Sequence, residues 1–182
     1  MKIIIIGGVA GGATTAARIR RVDETAEIVL LEKGKYISYA NCGLPYYIGG
    51  VIEERDKLFV QTPEAFSTRF RVDVRTENEV IFIDRKRKTV TVRQSSEDTY
   101  EESYDKLVIS TGASPVRPPL PGIDLSGIFT LRNVTDTDRI KEYIKNHAPR
   151  KAVVVGAGFI GLEMAENLQA QGAKVRSEER RV

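Results

Sequence analysis

One cysteine stands among the 182 residues, within Ser38-Tyr39-Ala40-Asn41-Cys42-Gly43-Leu44-Pro45-Tyr46-Tyr47. A lone thiol cannot staple the chain to itself, so it is either a small packed residue or a reactive group. Its neighbours point to reaction. Asn41 is a good helix N-cap and Gly43-Leu44-Pro45 opens a short helix, which puts the sulfur at a first turn. Unpaired backbone N–H groups and the helix dipole favour a thiolate there. With no second cysteine, a redox cycle needs an outside partner: a flavin, a small thiol or an oxygen.

Two glycine turns carry a different chemistry. The first is Gly7-Gly8-Val9-Ala10-Gly11-Gly12, and the second, Gly156-Ala157-Gly158-Phe159-Ile160-Gly161, follows about 150 residues later. Each glycine turn opens a helix, where backbone N–H groups can cradle a pyrophosphate. The first is followed by Glu27-Ile28-Val29-Leu30-Leu31-Glu32, a strand ending in an acid suited to a ribose 2′-OH, 25 residues past Gly7. Its middle glycine position is Val9; the second turn is a full G-x-G-x-x-G. Two such turns imply two nucleotides.

The elements that must position these groups read in order. Lys2 to Ile6 is a β-branched run without alternation, which suits a central parallel strand. Ala13 to Arg21, small on one side, fits a helix packed on it. Thr62 caps a short helix with Pro63 at its first position, and Arg69 and Arg71 end it. Val72 to Arg75, Glu79 to Ile83 and Thr89 to Arg93 look like an inserted antiparallel meander, with Arg85 to Lys88 as a solvated hairpin tip. Tyr104 to Ser110 returns to a buried strand whose carboxyl end, Thr111 to Ser114, is where open α/β sheets bind ligands. Pro115, Pro118, Pro119 and Pro121 hold an extended connection, and Thr135 or Asp136 caps a helix to about Lys145. His147 is an exposed helix-end residue. The fold class is α/β: a parallel dinucleotide-binding sheet with a small antiparallel β-meander insertion, plus the start of a second unit of the same kind.

Composition bounds the rest. With 41% hydrophobic residues the chain can bury one core and part of another. Its net charge is only +3, of which Lys174 to Val182 supply +2, so nucleic acid is not an expected partner. The longest wholly apolar run, Ile3 to Ile6, is too short to span a bilayer, and no signal-peptide pattern follows Met1. A single unpaired cysteine suits the reducing cytoplasm. No metal site is expected. After Ala173-Lys174-Val175 the charged run Arg176-Ser177-Glu178-Glu179-Arg180-Arg181 displaces the next strand and its acid, so the second unit reads as the opening of a longer protein, truncated or frame-shifted.

From Met1 to about Val175 the sequence resembles the single-cysteine class of pyridine nucleotide-disulfide oxidoreductases. Ser-x-Ala-Asn-Cys-Gly-Leu-Pro-Tyr with Ile-Gly-Gly behind it is similar to coenzyme A-disulfide reductases, including those fused to a rhodanese domain. The resemblance implies a Rossmann-like FAD-binding domain over 1–115, a connection over 116–149 and the beginning of an NAD(P)-binding domain over 150–182. It places FAD on Gly7, Gly8, Val9, Ala10, Gly11, Gly12, Glu32, Lys33, Cys42, Val80, Ser110, Thr111, Gly112, Ala113 and Arg132. It places NAD(P)H on Gly156 to Gly161 and Glu163, and coenzyme A on Thr14, Arg18, Arg21, Ser38 and Asn41, with Arg20 leaving the helix nearby. Phe70 stands where some relatives put a coenzyme-binding lysine. The implied reaction passes electrons from NAD(P)H through FAD to Cys42, which exchanges with coenzyme A disulfide, a persulfide or a polysulfide; the family protein is a homodimer, and this chain alone is expected not to turn over. NADH oxidases and peroxidases, which cycle the cysteine through a sulfenic acid, are the nearest alternative. They carry a histidine where this chain has Ala10. A non-enzymatic flavin-binding fragment is the other.

Overall fold

The computed structural model describes residues 1–178. By packing, the chain forms two compact units: Met1–Tyr39 with Phe59–Ala113, and Ala40–Leu58 with the chain from Ser114 onward.

In the first unit β1 (Lys2–Ile6) lies between β2 (Glu27–Glu32) and β7 (Lys106–Ile109), with β3 (Asp73–Thr76) outside β2, all parallel. Alternate residues of β1 enter different cores. Ile3 and Ile5 join Ala13, Ala16 and Ala17 of α1 (Ala10–Val22) and Phe66 of α3 (Pro63–Phe70). Ile4 and Ile6 meet Val90 and Val92 of the meander. That two-sided burial is why the run shows no alternation; each fully buried aliphatic side chain contributes roughly 1.5–3 kcal/mol. Thr62 caps α3 by accepting from the Ala65 N–H, and Arg71 ends it in the left-handed region.

The meander differs from the expected one. Val72 to Arg75 does not belong to it: Asp73–Thr76 extends the parallel sheet. Its strands are β4 (Asn78–Asp84), β5 (Thr89–Gln94) and β6 (Thr99–Ser103). The acidic run Thr99-Tyr100-Glu101-Glu102 hides β6 from a propensity argument. Its cations come from afar: Lys2 and Arg75 both lie 2.6 Å from Glu102 carboxylate oxygens. Burial pushes the Glu102 carboxyl up, yet the hydrogen bonds from Lys2 and Arg75 outweigh it and hold the group below its ordinary range. Arg85 to Lys88 is an exposed hairpin tip as expected, and Arg87 pairs with Glu101.

In the second unit, α2 (Leu44–Ile48) packs with α4 (Val134–His147) and α5 (Phe159–Ala170) through Ile48, Ile140 and Met164. The α4 cap is Asn133, in a capping box with Asp136, rather than Thr135 or Asp136. The Asn-x-x-Asp spacing was the available signal. His147 is exposed at the end of α4 and stacks on Tyr143. β8 (Lys151–Val155) pairs in parallel with β9 (Lys174–Glu178). The charged run therefore does not displace the second strand: Arg176, Ser177 and Glu178 form it, because ladder hydrogen bonds to β8 do not depend on side-chain polarity. Glu179 to Val182 lie outside the described residues. Among the described residues no helix is long and apolar enough to cross a membrane.

Candidate functional site

The first glycine turn is shaped by backbone approach. Gly7 has φ +99, and a Cβ there would fall 2.2 Å from the Ser110 carbonyl oxygen; one on Gly12 would fall 1.7 Å from the Gly7 carbonyl oxygen. Val9 needs no glycine, since its φ is −87. The first N–H groups of α1 have no intrahelical acceptor, and its first turn holds no acid, so the turn presents donors to an anion. Glu32, buried at the end of β2, accepts from the Gly8 and Gly34 N–H groups, each at 2.7 Å. Its carboxylate thus closes the turn and keeps lone pairs for a hydroxyl. Lys33 is exposed beside it.

The carboxyl end of β7 brings further expected residues to this turn. Ser110 donates its N–H to Ile6 and sets its hydroxyl against Gly11, while Gly112 holds a positive φ. Val80 and Thr111 line one open apolar groove of about 300 Å³ with Ile6, Ile83 and Ile109. A register shift between Val80 and Phe82 turns Ile81 and Phe82 outward at its rim. Ser38 donates its N–H to the Gly8 carbonyl and sits in the left-handed region with φ 46, so its backbone is tied to the turn.

The structure sorts the helix arginines. Arg20 does not reach outward: its guanidinium donates to the carbonyls of Phe70, Asp23, Glu24, Ala26 and Arg71. It ties the end of α1 to the end of α3. Thr14, Arg18 and Arg21 are exposed, and neither Arg18 nor Arg21 has an ion-pair partner among the described residues. Phe70 is half-buried against Phe66.

In the second unit, Asn41–Gly43 is a 3-10 turn leading into α2, and Cys42 is exposed with a free thiol. Asn41 is not the cap. Ala40 occupies that position without a side-chain bond, and the Asn41 Oδ1 accepts from Arg132 at 3.3 Å. The cysteine segment is held by side chains distant in sequence: Arg55 forms a forked pair with Asp138, at 2.7 to 3.2 Å, and Lys141 donates to the Tyr47 carbonyl at 2.6 Å. The Lys141 Nζ also lies 3.6 Å from the Tyr47 ring centroid, and burial holds its pKa below the usual value. None of these contacts had a local sequence signal.

The second glycine turn repeats the first. The Gly156 N–H donates to the Glu178 carbonyl at 2.8 Å, as Gly7 does to Leu31 at 2.8 Å. A Cβ on Gly161 would fall 1.9 Å from the Gly156 carbonyl oxygen. Gly158 is the α5 N-cap, Ala157, Phe159 and Ile160 are exposed, and Glu163 is half-buried on the helix.

Comparison with known proteins agrees with this geometry. Residues 1–182 match the pyridine nucleotide-disulphide oxidoreductase family. The chain is 49% identical over 176 residues to a coenzyme A disulfide reductase of Staphylococcus haemolyticus, covering 96% of this chain and 39% of that protein. Among solved structures, reduced Bacillus anthracis CoADR-RHD superposes with a TM-score of 0.95 at 55% identity, over 98% of this chain and 32% of that one. A NAD-dependent persulfide reductase from A. fulgidus gives 0.92 at 43%, over 97% and 34%.

Proposed function

The chain belongs to the pyridine nucleotide-disulphide oxidoreductase family, and from that premise we propose that it forms the flavin-binding and thiol-bearing part of an NAD(P)H-dependent reductase of coenzyme A disulfide or related persulfides. The observation that carries this reading is Cys42: the one cysteine of the chain, exposed and free. A mechanism built on one protein sulfur must form its disulfide with the substrate.

The first glycine turn fits the pyrophosphate of a dinucleotide, since it presents the unpaired N–H groups of an acid-free first helical turn beside the carboxyl ends of parallel strands. Gly7 to Gly12, Glu32, Lys33, Cys42, Val80, Ser110 to Ala113 and Arg132 would hold FAD, and Gly156 to Gly161 with Glu163 would hold the nicotinamide nucleotide. Bound flavin supplies two-electron transfer between a nicotinamide and a sulfur. Thr14, Arg18, Arg21, Ser38 and Asn41 would take the coenzyme, the free guanidiniums meeting its phosphates.

The chemistry of the chain itself is thiol exchange. The Cys42 thiolate attacks one sulfur of coenzyme A disulfide, forming a mixed disulfide and releasing one coenzyme A thiolate. Two electrons and one proton then cleave the mixed disulfide, freeing the second coenzyme A thiol and restoring the Cys42 thiolate. The working protein is a cytoplasmic homodimer, a setting that keeps a lone thiol reduced.

Pre-reduced chain mixed with coenzyme A disulfide and weighed by intact mass spectrometry tests the exchange. One coenzyme A should add at Cys42 while one is released, and Cys42→Ser should show neither. A wild-type chain that reacts with iodoacetamide yet forms no such adduct would sink the assignment; oxidation by peroxide to a stable sulfenic acid in its place would favour the oxidase reading.

A further inference from the structure

The cysteine segment is interrupted helix, and its order comes from elsewhere in its unit. α2 has five residues, far below the length at which a helix holds alone, and its last carbonyls need donors. Lys141 takes the Tyr47 carbonyl, and Gln171, just past α5, takes that of Gly49. Gly49 has an ordinary helical backbone, φ −71, so space rather than conformation demands glycine there: a Cβ would fall 2.0 Å from the Asn167 Oδ1. Asn167 cannot easily give way. It is 3% exposed, and its Nδ2 already donates to the Glu163 carbonyl.

α5 therefore has two ends with different duties. Its N-terminus carries the second glycine turn, and its C-terminal residues grip the end of the helix that begins beside Cys42. We propose that Asn167 and Gln171 are positioning residues that latch the cysteine segment to α5, so that the two open as one cooperative unit and a nucleotide bound at Gly156–Gly161 orders the segment carrying the thiol. This rests on the reading that the second glycine turn takes a nucleotide. The physical basis is linkage: a ligand that binds only the closed form slows opening by a factor of one plus its concentration over Kd.

Hydrogen exchange of the 182-residue chain with ADP-ribose, which cannot deliver a hydride, tests the latch. The reporters are the amides of Gly49, Gly50 and Ile52, which bond to Pro45, Tyr47 and Tyr46. At ten times Kd, exchange in α5 and at these three amides should slow together by about tenfold. In Asn167→Ala/Gln171→Ala, α5 should still slow while the three amides do not; Gly49→Ala, which forces the same contact apart, should behave alike. Protection of α5 without the three amides in the wild type overturns the latch alone, as does unchanged coupling in both variants. No protection anywhere, with no ADP-ribose binding, overturns the nucleotide reading and the latch with it.

Discussion

A strand, a glycine turn and a helix are built twice in this chain, and the copies differ in what surrounds them. Gly12 and Gly161 face the same demand, because each lets its helix cross the carbonyl of the first glycine at under 2 Å from where a Cβ would lie. That demand is internal to the motif. Gly7 and Gly156 also share positive φ values of +99 and +106, but only Gly7 is hemmed in: the Ser110 carbonyl blocks its Cβ position, whereas nothing among the described residues lies within 4 Å of the Gly156 one. The extra constraint comes from β7, a neighbour that the second copy lacks among the described residues. Burial follows the same division, with Ile4 and Ile5 at 0% exposure in β1 against Val153 at 61% and Val155 at 78% in β8.

The largest expected effect breaks that symmetry directly. Gly7→Ala adds a steric collision to backbone strain and should destabilise its unit by about 3 kcal/mol or more, while Gly156→Ala meets strain alone, about 1–2 kcal/mol. Urea unfolding of the two variants measures the gap, and equal losses would show that β7 adds nothing to the first turn.

A smaller effect separates the turns by their acids. Glu32 accepts two short N–H bonds as a carboxylate, so Glu32→Gln should cost about 1–2 kcal/mol of stability and weaken FAD binding. The unfolding midpoint and a fluorescence titration with FAD check both arms; unchanged FAD affinity would leave Glu32 as a structural clasp only.

The smallest concerns pH. Glu102 is held below its ordinary range, so its contribution is complete above the unfolded value of about 4.3 and fades as pH falls through the native one. Glu102→Gln should flatten that acid limb while costing about 1 kcal/mol at neutral pH, because the cations of both its pairs, Lys2 and Arg75, remain partly solvated. An unaltered limb would place the acid sensitivity of the first unit elsewhere.

Much of this was legible residue by residue. Lys2–Ile6, Glu27–Glu32, Thr62 with Pro63, and both glycine turns announce themselves through local chemistry. Local chemistry misled at β6, where Glu101 and Glu102 look unfit for a strand until Arg87 pairs with the first and Lys2 and Arg75 with the second, and at β9, where the charged Arg176 to Glu178 are held by a ladder that ignores side chains. Arg20 looked like a ligand because two of the five carbonyls that consume it, those of Phe70 and Arg71, lie 50 and 51 positions away at the end of α3.

By itself the amino-acid order determined the family, the two glycine turns and the one thiol, because glycine spacing and a unique cysteine are short-range facts that no fold can rearrange. Tertiary structure alone decided which residues hold that thiol in place. Arg132, Asp138 and Lys141 reach the cysteine segment across 83 to 94 positions, and Gln171 does so across 122. Contacts at that separation leave no periodicity to read, since they arise only when packing of Ile48, Ile140 and Met164 brings three helices together.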